Sequence, residues 1–271
     1  MEKNKYPDLF WKNIFSLPYF RAFLRAVEGR YYQDIKMPSP ILDLGIGDGH
    51  FTSETFSSSI DVGIDPAFSE LRNAKHKKNC VLHICGSGDH LPFRSSYFST
   101  VFSNSVLEHI KILGPVFSEV RRILNHDGIF IITVPNENFT KNLSMGRFFN
   151  RVGLKNWAKS YQHLFNKISR HYHPDPVSKW EERLESAGFE ILKSWNYFPK
   201  TSLKILEWGH LFGIPSWFSK KIFGKWILVP TKWNLWIVSV WLKKHYLLNQ
   251  ESPEGAYTFF ISKKIANDAR T

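Results

Sequence analysis

Asp43, Gly45, Gly47 and Gly49 stand at alternate positions in Ile41-Leu42-Asp43-Leu44-Gly45-Ile46-Gly47-Asp48-Gly49-His50-Phe51. Glycines so spaced let a backbone turn come close to a ligand, because no Cβ stands in the way. Several nucleotide-binding folds share that pattern, so it points to a class of ligand and no further. Asp65 closes a second apolar run about twenty residues on, where an acid hydrogen-bonds ribose hydroxyls; Asp65-Pro66 is also a plain turn starter. Further along, His109, His163, His171 and His173, with Tyr161 and Tyr172, are groups able to exchange a proton with an acceptor. Cys80 and Cys85, two in all, make neither a disulfide framework nor a zinc site, and a reduced, cytoplasmic setting is expected.

The elements around these residues alternate. Apolar strands are expected at 41–44, 60–64, 81–84, 100–103 and 129–134, with helices at about 49–57, 67–77 and 115–124 and a turn at 125–128. A helix over 177–187, stopped by Gly188, and strands at 189–197 and 257–262 follow. Regular alternation of apolar strands with helices predicts an α/β fold, a doubly wound, mostly parallel sheet that binds its ligand beyond the carboxyl ends of its strands. Residues 1–40 read as helical, with Gly29 a stop, and either cover the sheet edge or form a lid. Residues 135–176 are polar and rich in Asn, Lys and His, and read as an irregular covering of the site. The division expected is 1–40 as an N-terminal helical lid, 41–197 with 254–265 as the main domain (136–176 a cap within it) and 198–253 as a separate insertion.

Later segments narrow the ligand. They are Gly86-Ser87-Gly88-Asp89-His90-Leu91-Pro92-Phe93, Phe102-Ser103-Asn104-Ser105-Val106-Leu107-Glu108-His109-Ile110 and Ile123-Leu124-Asn125-His126-Asp127-Gly128-Ile129-Phe130, then Thr133-Val134-Pro135-Asn136, and finally Trp180 to Leu184 with Ala187-Gly188-Phe189. In that order they resemble a class I S-adenosylmethionine-dependent methyltransferase of the small-molecule kind, tightly over 41–135 and loosely over 177–197. An NAD enzyme is not expected to carry the Leu-Pro-Phe and Leu-Glu-His blocks.

The resemblance implies a seven-stranded Rossmann-like sheet with helical cap insertions and S-adenosyl-L-methionine as cofactor. It implies that Asp43, Leu44, Gly45 and Gly47 hold the methionine part, with Asp43 near the ammonium. Asp65 and Pro66 take the ribose. Ser87, where many relatives have an acid, serves the adenine side with Gly88 and Asp89, and Ser103 and Asn104 flank the sulfonium. Asp48 replaces a small or hydroxyl residue and is expected to point to solvent. His109 is the leading base, with a loop-orienting histidine as the even alternative; His171 and Tyr172 are cap residues that could face the acceptor. Ser105 stands where ubiquinone-type relatives have the first acid of an acid-x-x-Glu-His cluster, so no metal is expected at Glu108 and His109.

Net charge is +12 over 271 residues, which implies an anionic partner. Asn104-Ser105-Val106-Leu107 is not the Asn/Asp-Pro-Pro-aromatic block of nucleobase N-methylation, and neither cysteine suits C5 methylation, so nucleic acid is disfavoured. Between Lys200 and His245 eight lysines and a single acid, Glu207, interleave with tryptophans and aliphatics. The apolar stretch 226–242 is interrupted by Pro230, Lys232 and Asn234 and falls short of the ~20 residues of a spanning helix. That composition suits an acceptor cap, a dimer contact or an element lying on an anionic membrane surface. Residues 1–10 lack an apolar stretch, so no secretory signal is expected. The leading expectation is a methyltransferase acting at an O or C atom of a small, hydrophobic acceptor, cytoplasmic, and peripheral at the inner membrane face on the membrane reading of the insertion. An RNA-acting methyltransferase and a non-catalytic membrane scaffold of the same fold stay open.

Overall fold

The computed structural model describes residues 7–77 and 79–265. The chain runs α1 (Pro7–Ser16), α2 (Tyr19–Gln33), β1 (Ile41–Leu44), α3 (His50–Thr55), β2 (Ile60–Asp65), α4 (Phe68–Ala74), β3 (Cys80–Cys85) and β4 (Phe98–Asn104). A 3-10 turn at Leu107–His109 leads to α5 (Gly114–Ile123), β5 (Leu124–Pro135), α6 (Glu137–Lys141), α7 (Ser144–Arg151), α8 (Lys155–Ser169), α9 (Val177–Ser186) and β6 (Phe189–Tyr197). Then come α10 (Lys200–Phe212), α11 (Ile214–Phe223), α12 (Trp236–Leu247) and β7 (Tyr257–Lys264).

The seven strands form one sheet in the order β3-β2-β1-β4-β5-β7-β6. The first five strands are parallel, and β7 runs antiparallel between β5 and β6. The doubly wound, mostly parallel fold is therefore as expected. All four residues of β1 are buried, as a strand covered on both faces requires. One face packs α5 and α9 through Val116, Val120, Trp180 and Leu184. The other packs α2, α10 and α12 through Phe23, Val27, Leu203 and Leu242. The N-terminal helices thus cover a sheet face, not an edge.

Three local expectations change. Gly29 lies inside α2 and does not stop it; a Cβ there would come within 3.1 Å of Thr55 Oγ1 on α3, so the glycine serves close helix packing. Residues 125–128 do not form a free turn. They are absorbed as a register shift within β5, between the pairs Phe98–Leu124 and Thr100–Ile129. Residues 136–176 are largely helical rather than irregular: Asn136 caps α6 by accepting from Asn138 N at 2.9 Å, and α8 buries Ala158 and Phe165.

Glu207, the lone acid of the tryptophan-rich segment, explains how that segment is held. It is fully buried and accepts from Ser144 N (2.6 Å), Met145 N (3.1 Å) and Tyr161 OH (2.8 Å). A carboxylate on free amides at the start of α7 is favoured by the helix dipole and by otherwise unpaired donors. It ties α10 to both α7 and α8.

Candidate active site

At the end of β1 the chain turns sharply, with Gly45 N and Ile46 N both donating to Ile64 O of β2. Gly45 has φ +87°, and a Cβ there would stand 2.5 Å from Val106 Cγ1, so neither the conformation nor the space admits a side chain. Gly47 has φ +56° and open space where its Cβ would be. Asp65, at the end of β2, accepts from Gly47 N at 2.9 Å and from Ala67 N at 2.8 Å, one bond to each oxygen. Each carboxylate oxygen retains a free lone-pair site. Asp43 lies beneath the turn, buried, and accepts from Thr52 Oγ1. Desolvation, helped by the charge on Asp65, pushes its carboxyl up to about 7.

Above the turn opens a cavity of about 280 Å³ lined by Gly45, Gly47, Asp48, Asn104 and Ser105, with Arg21 and Arg25 reaching in from α2. A second cavity of about 450 Å³ lies under the helical cap, between Phe20, Glu108, His109, Phe139, His171 and Tyr257. The two share Arg21, Arg25, Ser105 and Trp226, so they adjoin where β4 ends.

Their junction is organised by Glu28. It is completely buried and accepts from Arg25 Nη1 (2.6 Å), Asn104 Nδ2 (2.8 Å), Ser105 Oγ (2.9 Å) and Tyr197 OH (3.1 Å). One carboxylate from α2 thereby fixes the last side chain of β4 and the one that follows it. Asn104 Oδ1 in turn accepts from Thr133 Oγ1, and Thr133 Oγ1 from Ser105 N. Glu28, Asn104, Ser105 and Thr133 thus form one connected buried network at the junction between the cavities.

Comparison with known proteins bears on what this arrangement is. Residues 42–132 match the family described as methyltransferase domain. The chain is 31% identical over 112 residues to a malonyl-[acyl-carrier protein] O-methyltransferase of Legionella pneumophila, covering 39% of each protein. An uncharacterized protein of Methanocaldococcus jannaschii is 29% identical over 189 residues, 64% of this chain and 71% of its own. A SAM-dependent methyltransferase from Thermotoga maritima has the same fold, with a TM-score of 0.56, 15% identity and 91% of both chains covered. Residues 42–132 therefore carry a methyltransferase domain, on the fold that the Thermotoga methyltransferase shares. The match spans only about two fifths of the Legionella protein's length.

Around this domain the expected residues separate into groups. Gly45, Gly47 and Asn104 line the glycine-turn cavity, and Asp65 braces it. Leu44 and Ser103 are buried one layer back, Ser103 Oγ donating to Leu44 O at 2.9 Å, so Ser103 is a strut. Ser87 and Asp89 are exposed and Gly88 packs on Leu44 and Val116; no helix lies between β3 and β4 among the described residues to cover that loop. Pro66 is exposed beside Cys85. Asp48 does not simply face solvent: it accepts from His50 N at 3.0 Å and lines the cavity.

On the cap side His109 and His171 line the larger cavity. Tyr172 does not; it is 60% exposed and its backbone N donates to Glu108 O, which turns the ring outward. His173 bonds Ile110 O and faces Asp175, and His163 is exposed. Arg21, Arg25 and the fully buried Glu108 as wall residues, and Glu28 behind them, are not among the sequence expectations. Their signal was present: charges at 21, 25 and 28 fall on one face of a helix otherwise carrying Phe20, Phe23, Leu24 and Val27.

Proposed function

We propose that this methyltransferase moves a methyl group from S-adenosylmethionine to an O or C atom of a small hydrophobic acceptor seated in the cap cavity. The observation carrying the reading is the pair of cavities that adjoin at Ser105, one over the glycine turn and one under an aromatic cap. The cofactor fits the first on three counts: Gly47 leaves its Cβ position open, Asp65 keeps lone pairs for hydroxyls, and Asp43 lies beneath the turn as a counter-charge. Gly45 and Gly47 would hold the methionine part and Asp65 the ribose. When bound, the cofactor supplies a methyl group made electrophilic by an adjacent sulfonium.

The chain's own part is positioning and the exclusion of water. Glu28 locks Asn104 and Ser105, so the floor shared by donor and acceptor does not shift. Phe20, Phe139 and Tyr257 give the acceptor an apolar wall. His109 is the base in this reading. Its Nδ1 donates to Arg170 O at 3.0 Å, which leaves the lone pair on Nε2, and burial holds its pKa below the ordinary histidine value. It is therefore neutral and able to accept a proton at physiological pH.

The outer surface supports a membrane contact within the same proposal. Phe212, Ile222, Phe223, Trp233, Trp236 and Ile237 are each at least 60% exposed, among Lys220, Lys221, Lys225 and Lys232. No helix among the described residues is long and apolar enough to cross a membrane. Lysines beside exposed tryptophans suit an interfacial element on the inner face of the cytoplasmic membrane, each lysine contributing about 1 kcal/mol near anionic lipid. The RNA alternative rests on charge alone.

Calorimetry with S-adenosylhomocysteine tests the donor half: absence of binding at millimolar ligand would sink the enzyme reading. Methyl-labelled cofactor, incubated with a lipid extract and partitioned between solvents, tests the acceptor. Label in the organic phase is expected; label confined to water-soluble products would refute a hydrophobic acceptor. Sedimentation with phosphatidylglycerol vesicles, and not with phosphatidylcholine vesicles, is the expected membrane result.

A further inference from the structure

Three side chains in the cap cavity remain unexplained by positioning and packing. Glu108 is 1% exposed, and its Oε2 is buried without a hydrogen-bond partner. His171 buries its Nδ1, also without a partner. Buried polar atoms are nearly always paired, so two orphans in one wall need a reason. His109 is the third. Because a carbonyl can only accept, its 3.0 Å contact to Arg170 O puts the proton on Nδ1 and the free lone pair on Nε2, 3.9 Å from Glu108 Oε1.

One donor atom from each of Glu108, His109 and His171 lies within 4.8 Å of the others. We infer that these three residues form a site for a late first-row divalent cation of the zinc class, with its open position facing the acceptor cavity. The donor set selects the metal. Two imidazoles and one carboxylate suit zinc and its neighbours, whereas magnesium prefers oxygen ligands throughout. Tetrahedral ligation at about 2.1 Å sets ligand atoms about 3.4 Å apart, so the side chains close by rotation around an incoming ion. The backbone carbonyl behind His109 Nδ1 is the outer partner that metal-bound histidines commonly have. Arg25 lines the same cavity, yet its charge is matched by Glu28 at 2.6 Å, which leaves Glu108 uncommitted.

His171 is what the sequence could not supply. The segment around Glu108-His109 has Ser105 where a nearby third acid ligand would be sought, and Ser105 is spent on Glu28. The third ligand comes instead from the residue that follows α8, after Arg170 in a left-handed conformation (φ 57°). The cap and the 3-10 turn would thus be joined through the ion. What the ion does rests on the function proposed above: it would hold an oxygen of the acceptor and ease its deprotonation, replacing His109 in the role of base, since a ligating Nε2 has no lone pair left to take a proton.

The test uses the full chain freed of metal with a chelator, then titrated with Zn²⁺ by calorimetry and with Co²⁺ by visible absorption. One equivalent is expected for the wild type and for a control at the exposed His163, His163→Ala. His171→Ala and Glu108→Gln should each weaken binding by at least about tenfold. The half-buried His171 keeps the test informative if Glu108→Gln fails to fold. No one-to-one binding, or binding undiminished in His171→Ala, overturns the inference. S-adenosylhomocysteine titrated into the same samples separates the two proposals: cofactor binding without metal binding defeats only this site, and metal binding without cofactor binding defeats only the methyltransfer reading.

Discussion

The two cavities adjoin at Ser105, yet they are built by different means. The floor of the glycine-turn cavity is made from consecutive residues at the ends of adjacent parallel strands, held by backbone bonds such as Gly45 N to Ile64 O, with Arg21 and Arg25 closing it from α2. The cap cavity is made from side chains that different helices bring together: Phe20 on α2, Phe139 on α6, Leu206 on α10 and His171 after α8. The first is a property of the sheet and tolerates little change. The second is a property of helix packing, so it can vary in shape and chemistry while the donor side stays the same. Glu28 braces their junction, since it reaches from α2 to the last residue of β4 and the one after it.

Removing that brace should have the largest effect. Glu28→Ala leaves Arg25, Asn104 Nδ2, Ser105 Oγ and Tyr197 OH without their acceptor in a buried site. A loss of about 3–5 kcal/mol in unfolding free energy is expected, read by chemical denaturation. A loss under 1 kcal/mol would mean that the two halves are held independently of Glu28.

The glycine turn should divide stability from binding. Gly45→Ala combines a positive φ with a Cβ 2.5 Å from Val106, and is expected to cost about 2–4 kcal/mol of stability. Gly47→Ala meets no neighbour, so only the backbone penalty of about 1–2 kcal/mol applies to folding, while its methyl enters the cavity and weakens S-adenosylhomocysteine binding. Equal effects of the two on folding would contradict the geometry of the turn. On the cap side, Glu207→Ala should cost about 1–3 kcal/mol by stranding Ser144 N, Met145 N and Tyr161 OH, with cofactor affinity unchanged. A fall in cofactor affinity would show that the cap governs the donor site as well.

The same contrast explains what could be read in advance. Asp43, Gly45, Gly47 and Asp65 announce themselves because local backbone geometry demands those types at that spacing, and β1 keeps the limits that its apolar run implies. Glu28 and Ser105 are 77 positions apart, and His109 and Arg170 are 61 apart; no local rule links them. Reading Gly29 as a stop shortens the helix by about a turn but leaves Arg21, Arg25 and Glu28 on it; what those positions face is set by packing. Ser87 and Asp89 were sought by position relative to β3, but the loop there has no covering helix and leaves both exposed.

The smallest effect tests whether Asp43 belongs to the binding half at all, since it lies beneath the turn and off the cavity wall. Its carboxyl is pushed up to about 7 by desolvation, against an ordinary value of 3.8. In the free protein it is therefore mostly neutral at pH 6 and mostly ionised at pH 8. A ligand ammonium pairs only with the ionised form, so binding below pH 7 must first release the proton. The dissociation constant of S-adenosylhomocysteine should then rise roughly tenfold from pH 8 to pH 6, about 1.4 kcal/mol. Calorimetry at pH 6 in buffers of different ionisation enthalpy should register close to one proton released per ligand bound, and almost none at pH 8. A flat profile with no proton release would leave Asp43 a structural partner of Thr52 and confine the binding surface to the two glycines, Asp65 and the end of β4.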